Sequence, residues 1–111
     1  MTLTKQSVSL QEASEALAKK GRERFIRLFE HGTLELELYA PCGHDPQQPH
    51  TRDEVYIIVS GRGTFFRAGE REAFGPGDFL FVAAGVEHRF EDFSDDFATW
   101  VLFYGPEGGE V

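Results

Sequence analysis

Residues 48–61 read QPHTRDEVYIIVSG, and residues 77–92 read GDFLFVAAGVEHRFED. Each holds a short apolar run beside a histidine: VYIIV (Val55 to Val59) follows His50, and FLFV (Phe79 to Val82) precedes His88. A third run, TWVLFY, spans Thr99 to Tyr104. Their length and their β-branched and aromatic content predict strands buried on both faces. Upstream, TLELELY (Thr33 to Tyr39) alternates with period two, which predicts a half-buried strand with Leu34, Leu36 and Leu38 on one face and Glu35 and Glu37 on the other. His31-Gly32 marks a turn from an earlier strand near Phe25 to Phe29, and His88 to Glu91 reads as one more. Turn formers recur at Gly61-Arg62-Gly63, Ala68-Gly69-Glu70, Gly75-Pro76-Gly77 and Ala84-Gly85. Short strands separated by frequent turns predict an all-β sandwich or barrel.

The N-terminal part differs. Ser9-Leu10-Gln11-Glu12 fits a capping box, Leu10, Ala13 and Leu17 recur at helical spacing, and Gly21 supplies a stop. One helix is expected over about residues 10–20, with Lys19 and Lys20 in its last turn. The chain then divides into a helical segment, 1–23, and a β domain, 24–111. The acidic cluster Glu91, Asp92, Asp95 and Asp96 is expected as a solvated loop, and the tail from Gly105 to Val111 as loose at its end.

The 111 residues suit one domain, and 41% of them are hydrophobic, including 11 Phe. The net charge of −8 disfavours a nucleic acid or an anionic membrane as partner. A single cysteine, Cys42, cannot form an internal disulfide, and the first residues lack the apolar run of a secretory signal. No run is long enough to span a bilayer. A cytoplasmic protein is expected.

Gln48, His50 and Glu54 share parity, so in extended chain their side chains leave one face. An amide oxygen, an imidazole and a carboxylate converging there make a partial metal site, which His88 completes if its strand pairs nearby. The plainer alternative is a surface histidine, a Glu54 paired with Arg52 or Arg89, and an exposed Gln48 in the loop DPQQPH. Tyr56 and Ile58 share the parity of Glu54, and Phe90 that of His88, so these three are expected to line the same cavity. Cys42, His44 and Asp45 lie in the loop before it, and Trp100 reads as core.

Both quoted stretches resemble the two motifs of the cupin superfamily. His50, Glu54 and Gly61 stand at the spacings of the first, and Gly77, Gly85 and His88 at those of the second. Gln48 replaces the first motif's leading histidine, Cys42 holds the place of its glycine, and Ala83 and Asp92 replace the second motif's proline and asparagine. The resemblance covers about residues 34–104. It implies a cupin-like double-stranded β-helix, the jelly-roll barrel, with one short N-terminal helix. It also implies one divalent metal ion (Zn, Fe, Mn or Ni) on Gln48, His50, Glu54 and His88. The last three are similar to the two-His, one-carboxylate face of non-haem iron enzymes. All four together are similar to the zinc site of phosphomannose isomerases. The implied function is a metal-dependent enzyme of dioxygenase or isomerase type acting on a small organic molecule, with Glu54 as ligand or general base. A non-catalytic metal- or ligand-binding module and an idle jelly roll are the alternatives. Cupins similar to this one often pair their sheets, so a homodimer is expected.

Overall fold

The computed structural model describes residues 6–111. Residues 1–5, the start of the expected segment 1–23, lie outside the described residues. The helix, α1 (Leu10–Ala18), opens on the expected capping box. The Glu12 amide donates to Ser9 Oγ (3.0 Å), and the Ser9 amide to Glu12 Oε1 (3.2 Å). It ends before Lys19 and Lys20, and Lys20 instead pairs with Glu23 at 2.8 Å.

Eight strands follow among the described residues: β1 (Phe25–His31), β2 (Leu34–Tyr39), β3 (Asp53–Ser60), β4 (Gly63–Arg67), β5 (Glu70–Phe74), β6 (Phe79–Val82), β7 (His88–Glu91) and β8 (Ala98–Tyr104). They form two antiparallel sheets, ordered β1-β2-β8-β3-β6 and β5-β4-β7. The β4–β5 hairpin turns at Ala68-Gly69-Glu70 and is flanked by Gly61-Arg62-Gly63 and Gly75-Pro76-Gly77, all turns that the sequence marks. Its strands are short, and β5 (EREAF) is largely charged, so no apolar run announces it.

The core lies between the sheets and is chiefly aromatic. Tyr56, Phe65, Phe74, Phe90 and Phe97 are all buried, and Phe90 sits 4.7 to 5.3 Å from the rings of Tyr56, Phe65, Phe74 and Phe97. Tilted and edge-on pairs of this kind add to the stabilisation from burial.

Register decides which face is inward. Glu54 pairs with Phe103, Tyr56 with Val101, Glu37 with Val101 and Glu35 with Phe103. Glu35, Glu37 and Tyr39 therefore share the inner face with Glu54 and Tyr56. The leucine side is the outer one. There α1 packs on β1 and β2, and Leu38 and Ala13 are buried apart from the central core.

The central runs are likewise one-sided. Leu80 and Val82 are buried, whereas Phe79 (63%), Phe81 (40%) and Ile57 (39%) are exposed on the outer face. Glu91 also departs from expectation. It lies in β7 and is held by Arg71 at 2.8 Å and Arg89 at 2.7 Å, which keep its carboxyl below the usual range. Asp92, Asp95 and Asp96 are exposed as expected.

The tail is docked. The Gly105 amide donates to Thr33 Oγ1 (3.0 Å), the Gly108 amide to the Thr51 carbonyl (2.7 Å), and the Glu110 amide to Asp53 Oδ2 (2.8 Å). Asp53 Oδ1 accepts from the Ala84 amide (2.9 Å), so one carboxylate ties the tail to the turn before β7. Hydrogen bonds from Glu110 and Ala84 hold the Asp53 carboxyl below its ordinary value. No helix among the described residues is long and apolar enough to cross a membrane.

Two outcomes follow from this packing. Gly61 has φ +84°, and a Cβ there would lie 2.6 Å from Phe97 Cα; Gly69 has φ +86° with open space around it. Both Gly→Ala changes carry left-handed strain of about 1 kcal/mol. Overpacking adds roughly 1–3 kcal/mol for Gly61→Ala alone. Urea unfolding should rank Gly61→Ala well below Gly69→Ala, and equal midpoints would contradict the packing. The Asp53 clamp should be complete above the unfolded pKa of about 3.9 and lost as pH falls through the lower folded value. Protection of the Glu110 amide against exchange, taken by NMR relative to the intrinsic rate at each pH, should fall over that acid window, and Asp53→Ala should show little protection at any pH.

Candidate metal centre

Three segments meet at one end of the barrel. His50 closes the loop before β3, Glu54 is the second residue of β3, and His88 opens β7. The Gly85 amide donates to the His50 carbonyl at 2.7 Å and so pins the turn before β7 against the loop. Gly85 has φ +80°, a conformation that glycine adopts without strain.

Candidate ligand atoms of His50, Glu54 and His88 all lie within 4.8 Å of one another. His88 Nε2 is 3.0 Å and His50 Nε2 3.7 Å from Glu54 Oε1. Arg52 pairs with Glu35, and Arg89 with Glu91 and Glu87, so neither takes up Glu54. Glu54 and His88 are fully buried, and His50 is half-buried.

The tautomer of His88 follows from its surroundings. Its Nδ1 is 2.9 Å from the Val86 carbonyl, which can only accept, so Nδ1 carries the proton. The neutral ring then turns the lone pair of Nε2 toward a carboxylate. Despite the short separation, His88 Nε2 and both Glu54 oxygens lack an aligned hydrogen-bond partner. Leaving buried polar groups in that state costs about 1–3 kcal/mol each, more if charged. A positive charge between the two resolves it, either a second proton on His88 or a metal ion. Burial opposes charge on His88, but contacts with Glu54 and Val86 outweigh it and raise its pKa above the ordinary imidazole value.

Gln47, which the sequence reading passed over, faces this group. Its Oε1 is 3.2 Å from His50 Nε2 and accepts from the Tyr56 hydroxyl at 2.9 Å. Its amide nitrogen donates to Asp45 Oδ2 at 2.8 Å, which settles the orientation of the amide. Asp45 is buried and also accepts from the Phe90 amide (2.9 Å) and from the Tyr39 hydroxyl. Burial and the Asp45 carboxylate push the Tyr39 phenol well above its usual range. Gln48, by contrast, is exposed. Shared parity puts side chains on one face only along extended chain. Asp45 instead binds the backbone amide of Gln47 (3.2 Å) in a loop that carries Pro46 and Pro49, and strand geometry begins only at Asp53.

A cavity of about 470 Å³ opens beside His50 and Gln47, walled by Glu35, Glu37, Tyr39, Val101 and Phe103 with Arg27 and Arg52. Tyr56, Ile58 and Phe90 share the inner face but sit in the buried aromatic core rather than on this wall; Tyr56 reaches the site through its hydroxyl. Burial raises the Glu37 carboxyl above its usual range, although Arg27 nearby works against this. Period-two alternation had already placed Glu35 and Glu37 on one face. Nothing local told which face was inner. Cys42 and His44 are exposed and are not among the residues lining this cavity.

Comparison with known proteins accords with this architecture. Residues 35–104 match the family described as Cupin domain. Over 63 residues the chain is 41% identical to an uncharacterised protein of Streptomyces coelicolor, covering 57% of this chain and 60% of that one. The match therefore spans less than two thirds of the relative's length. Among solved structures, protein NMB1881 from Neisseria meningitidis superposes with a TM-score of 0.70 at 17% identity, over 90% of this chain and 100% of that one. A chain from the structures of the DMSP lyases RdDddP and RnDddQII gives 0.65 at 22%, over 75% of this chain and 47% of that one. At such identities the structures speak for the fold. Since the family match takes in β2 through β8, including Glu54 and His88, the chain belongs to the cupin family.

Proposed function

We propose that this cupin is a metal-dependent enzyme acting on a small organic molecule, with one divalent ion held by His50, Glu54 and His88 and with Gln47 as the fourth donor. The observation that carries the reading is the orphaned buried pair, His88 Nε2 against both Glu54 oxygens. Metal–donor distances of about 2.0–2.2 Å put neighbouring donors on one ion roughly 3 Å apart. The separations of 3.0 Å (His88 to Glu54), 3.2 Å (Gln47 to His50) and 3.7 Å (His50 to Glu54) fit such a set. Two imidazoles, a carboxylate and an amide oxygen suit zinc, iron, manganese or nickel.

When bound, the ion supplies Lewis-acid polarisation of a ligand oxygen or, as iron, redox chemistry. The chain's own residues do the rest. Val86 holds the His88 tautomer, Asp45 and Tyr56 aim Gln47, and the aromatic core excludes water from below. Full burial of Glu54 favours a ligand role over that of a base reaching a substrate. The cavity beside His50 gives a small molecule access, and an enzyme among the structural neighbours, a DMSP lyase, favours turnover over a pure binding module. The exposed lone thiol Cys42 accords with a reducing, cytoplasmic setting.

Metal analysis with Co2+ and Zn2+ titration tests the site. Wild type should take up about one ion per chain, and His50→Ala and His88→Ala should lose it. Gln47→Ala should weaken uptake by roughly 10- to 100-fold, a loss of the size seen when metal-site support is removed. Gln48→Ala should behave as wild type. No uptake by wild type under excess metal would leave His88 and Glu54 as a proton-bridged pair and end the enzyme reading.

A twofold homodimer completes the proposal, supported by Ile57, Phe79 and Phe81 exposed together on the outer face. Light scattering should give twice 12.5 kDa for wild type and 12.5 kDa for Phe79→Glu. A wild-type monomer at the highest soluble concentration would refute it.

A further inference from the structure

The wall of the cavity facing His50 holds charges that the metal centre does not use. On β2, the inner-face residue Glu35 meets two guanidinium groups: Arg27 Nη2 at 2.8 Å from its Oε1, and Arg52, whose Nη2 bonds its Oε2. Arg52 is braced further, with Nη1 donating to the Thr33 carbonyl at 2.7 Å and its guanidinium 5.8 Å from the Phe103 ring centre. One carboxylate thus shares two cations. Glu37, the next inner-face carboxyl, is 3.8 Å and Glu30 of β1 3.6 Å from Arg27, both beyond hydrogen-bond range, so neither saturates that group.

We propose that Arg27 and Arg52 form an anion subsite at the mouth of this cavity, and that the ligand is a small organic acid whose carboxylate lies on the guanidinium pair while a second oxygen faces the metal centre. The second half rests on the metal reading above; the first does not.

Charge and size both favour this class. The chain carries −8 overall, which repels anions at long range, but such repulsion is screened beyond about 8 Å at physiological salt. Inside the cavity the balance differs. On the cavity wall the two arginines face Glu35 and Glu37, while Glu30, 3.6 Å from Arg27 Nη1, lies outside the lining; a divalent ion against Glu54 adds one net positive charge. Any proton that Glu37 takes up raises the excess. A planar guanidinium fork matches carboxylate geometry, and bonds between the two are among the stronger hydrogen bonds available. The volume of about 470 Å³ admits a small acid with room for water.

The test titrates malonate, succinate and glutarate, each beside its diamide, into wild type and into Arg27→Gln, Arg52→Gln and Arg62→Gln. Arg62 is exposed, and its replacement changes net charge equally. Arg27→Gln leaves Arg52 on Glu35, so folding is retained. Cobalt uptake is measured first on each protein. With the metal loaded, at least one acid should bind wild type, with Kd raised about tenfold or more in Arg27→Gln and Arg52→Gln, as befits a lost charge-assisted bond. Arg62→Gln should stay within about twofold, a range too small for a direct contact, and the diamides should bind weakly and without regard to the arginines. Acids that bind equally to wild type and Arg27→Gln, or no acid binding, would overturn the subsite. If wild type takes up no cobalt, the metal reading fails by itself. The subsite is then read on metal-free protein from shifts of the Arg27 and Arg52 Nε–H NMR signals, which must move with succinate and stay still with its diamide.

Discussion

Glu54 is a fully buried carboxylate 3.0 Å from an imidazole nitrogen whose lone pair faces it, and this placement constrains most of what surrounds it. A carboxylate removed from water needs compensation nearby. Val86 fixes the tautomer of His88, the Gly85 amide holds the turn against His50, and Asp53 fastens Ala84 one residue earlier. Each contact is made by backbone or by a short side chain, so the group is held by the frame rather than by flexible arms.

The same interior is divided between two kinds of chemistry. Its lower part is an interlocked set of aromatic rings with few polar atoms. Its upper part is polar and ordered by a buried aspartate: Asp45 takes the Tyr39 hydroxyl and the Phe90 amide and aims Gln47 at His50. Tyr56 and Phe90 lie on the boundary, with Tyr56 packing against Phe90 and reaching Gln47 through its hydroxyl. A rigid apolar floor below a hydrogen-bonded rim keeps the donors in place.

Much of this was legible in the residues. The motif spacing located His50, Glu54 and His88, because histidine and glutamate at those offsets from strand starts stand out against apolar runs. The capping box was legible because it is local, four residues from end to end. Gln47 was missed because parity holds only along extended chain, and a loop bound by Asp45 does not keep it. The β4–β5 hairpin was missed because charged, short strands carry no periodic signal. The docked tail was invisible because its partners, Thr33, Thr51 and Asp53, are distant in sequence.

The alternation in TLELELY marks the limit most clearly. By itself the sequence determined the cupin motifs, the β class and the set of residues sharing each face of each strand, since these depend on neighbours along the chain. Only the tertiary structure decided which face became the interior. In β2 the leucines lie outside, on the side where α1 packs, and the glutamates line a cavity, where Arg27 and Arg52 compensate Glu35. The hydrophobic pattern is satisfied on either side of β2, which has a covering layer on both, α1 outside and the second sheet inside. Which side can also bury carboxylates depends on cations that strand pairing and loops bring from elsewhere in the chain.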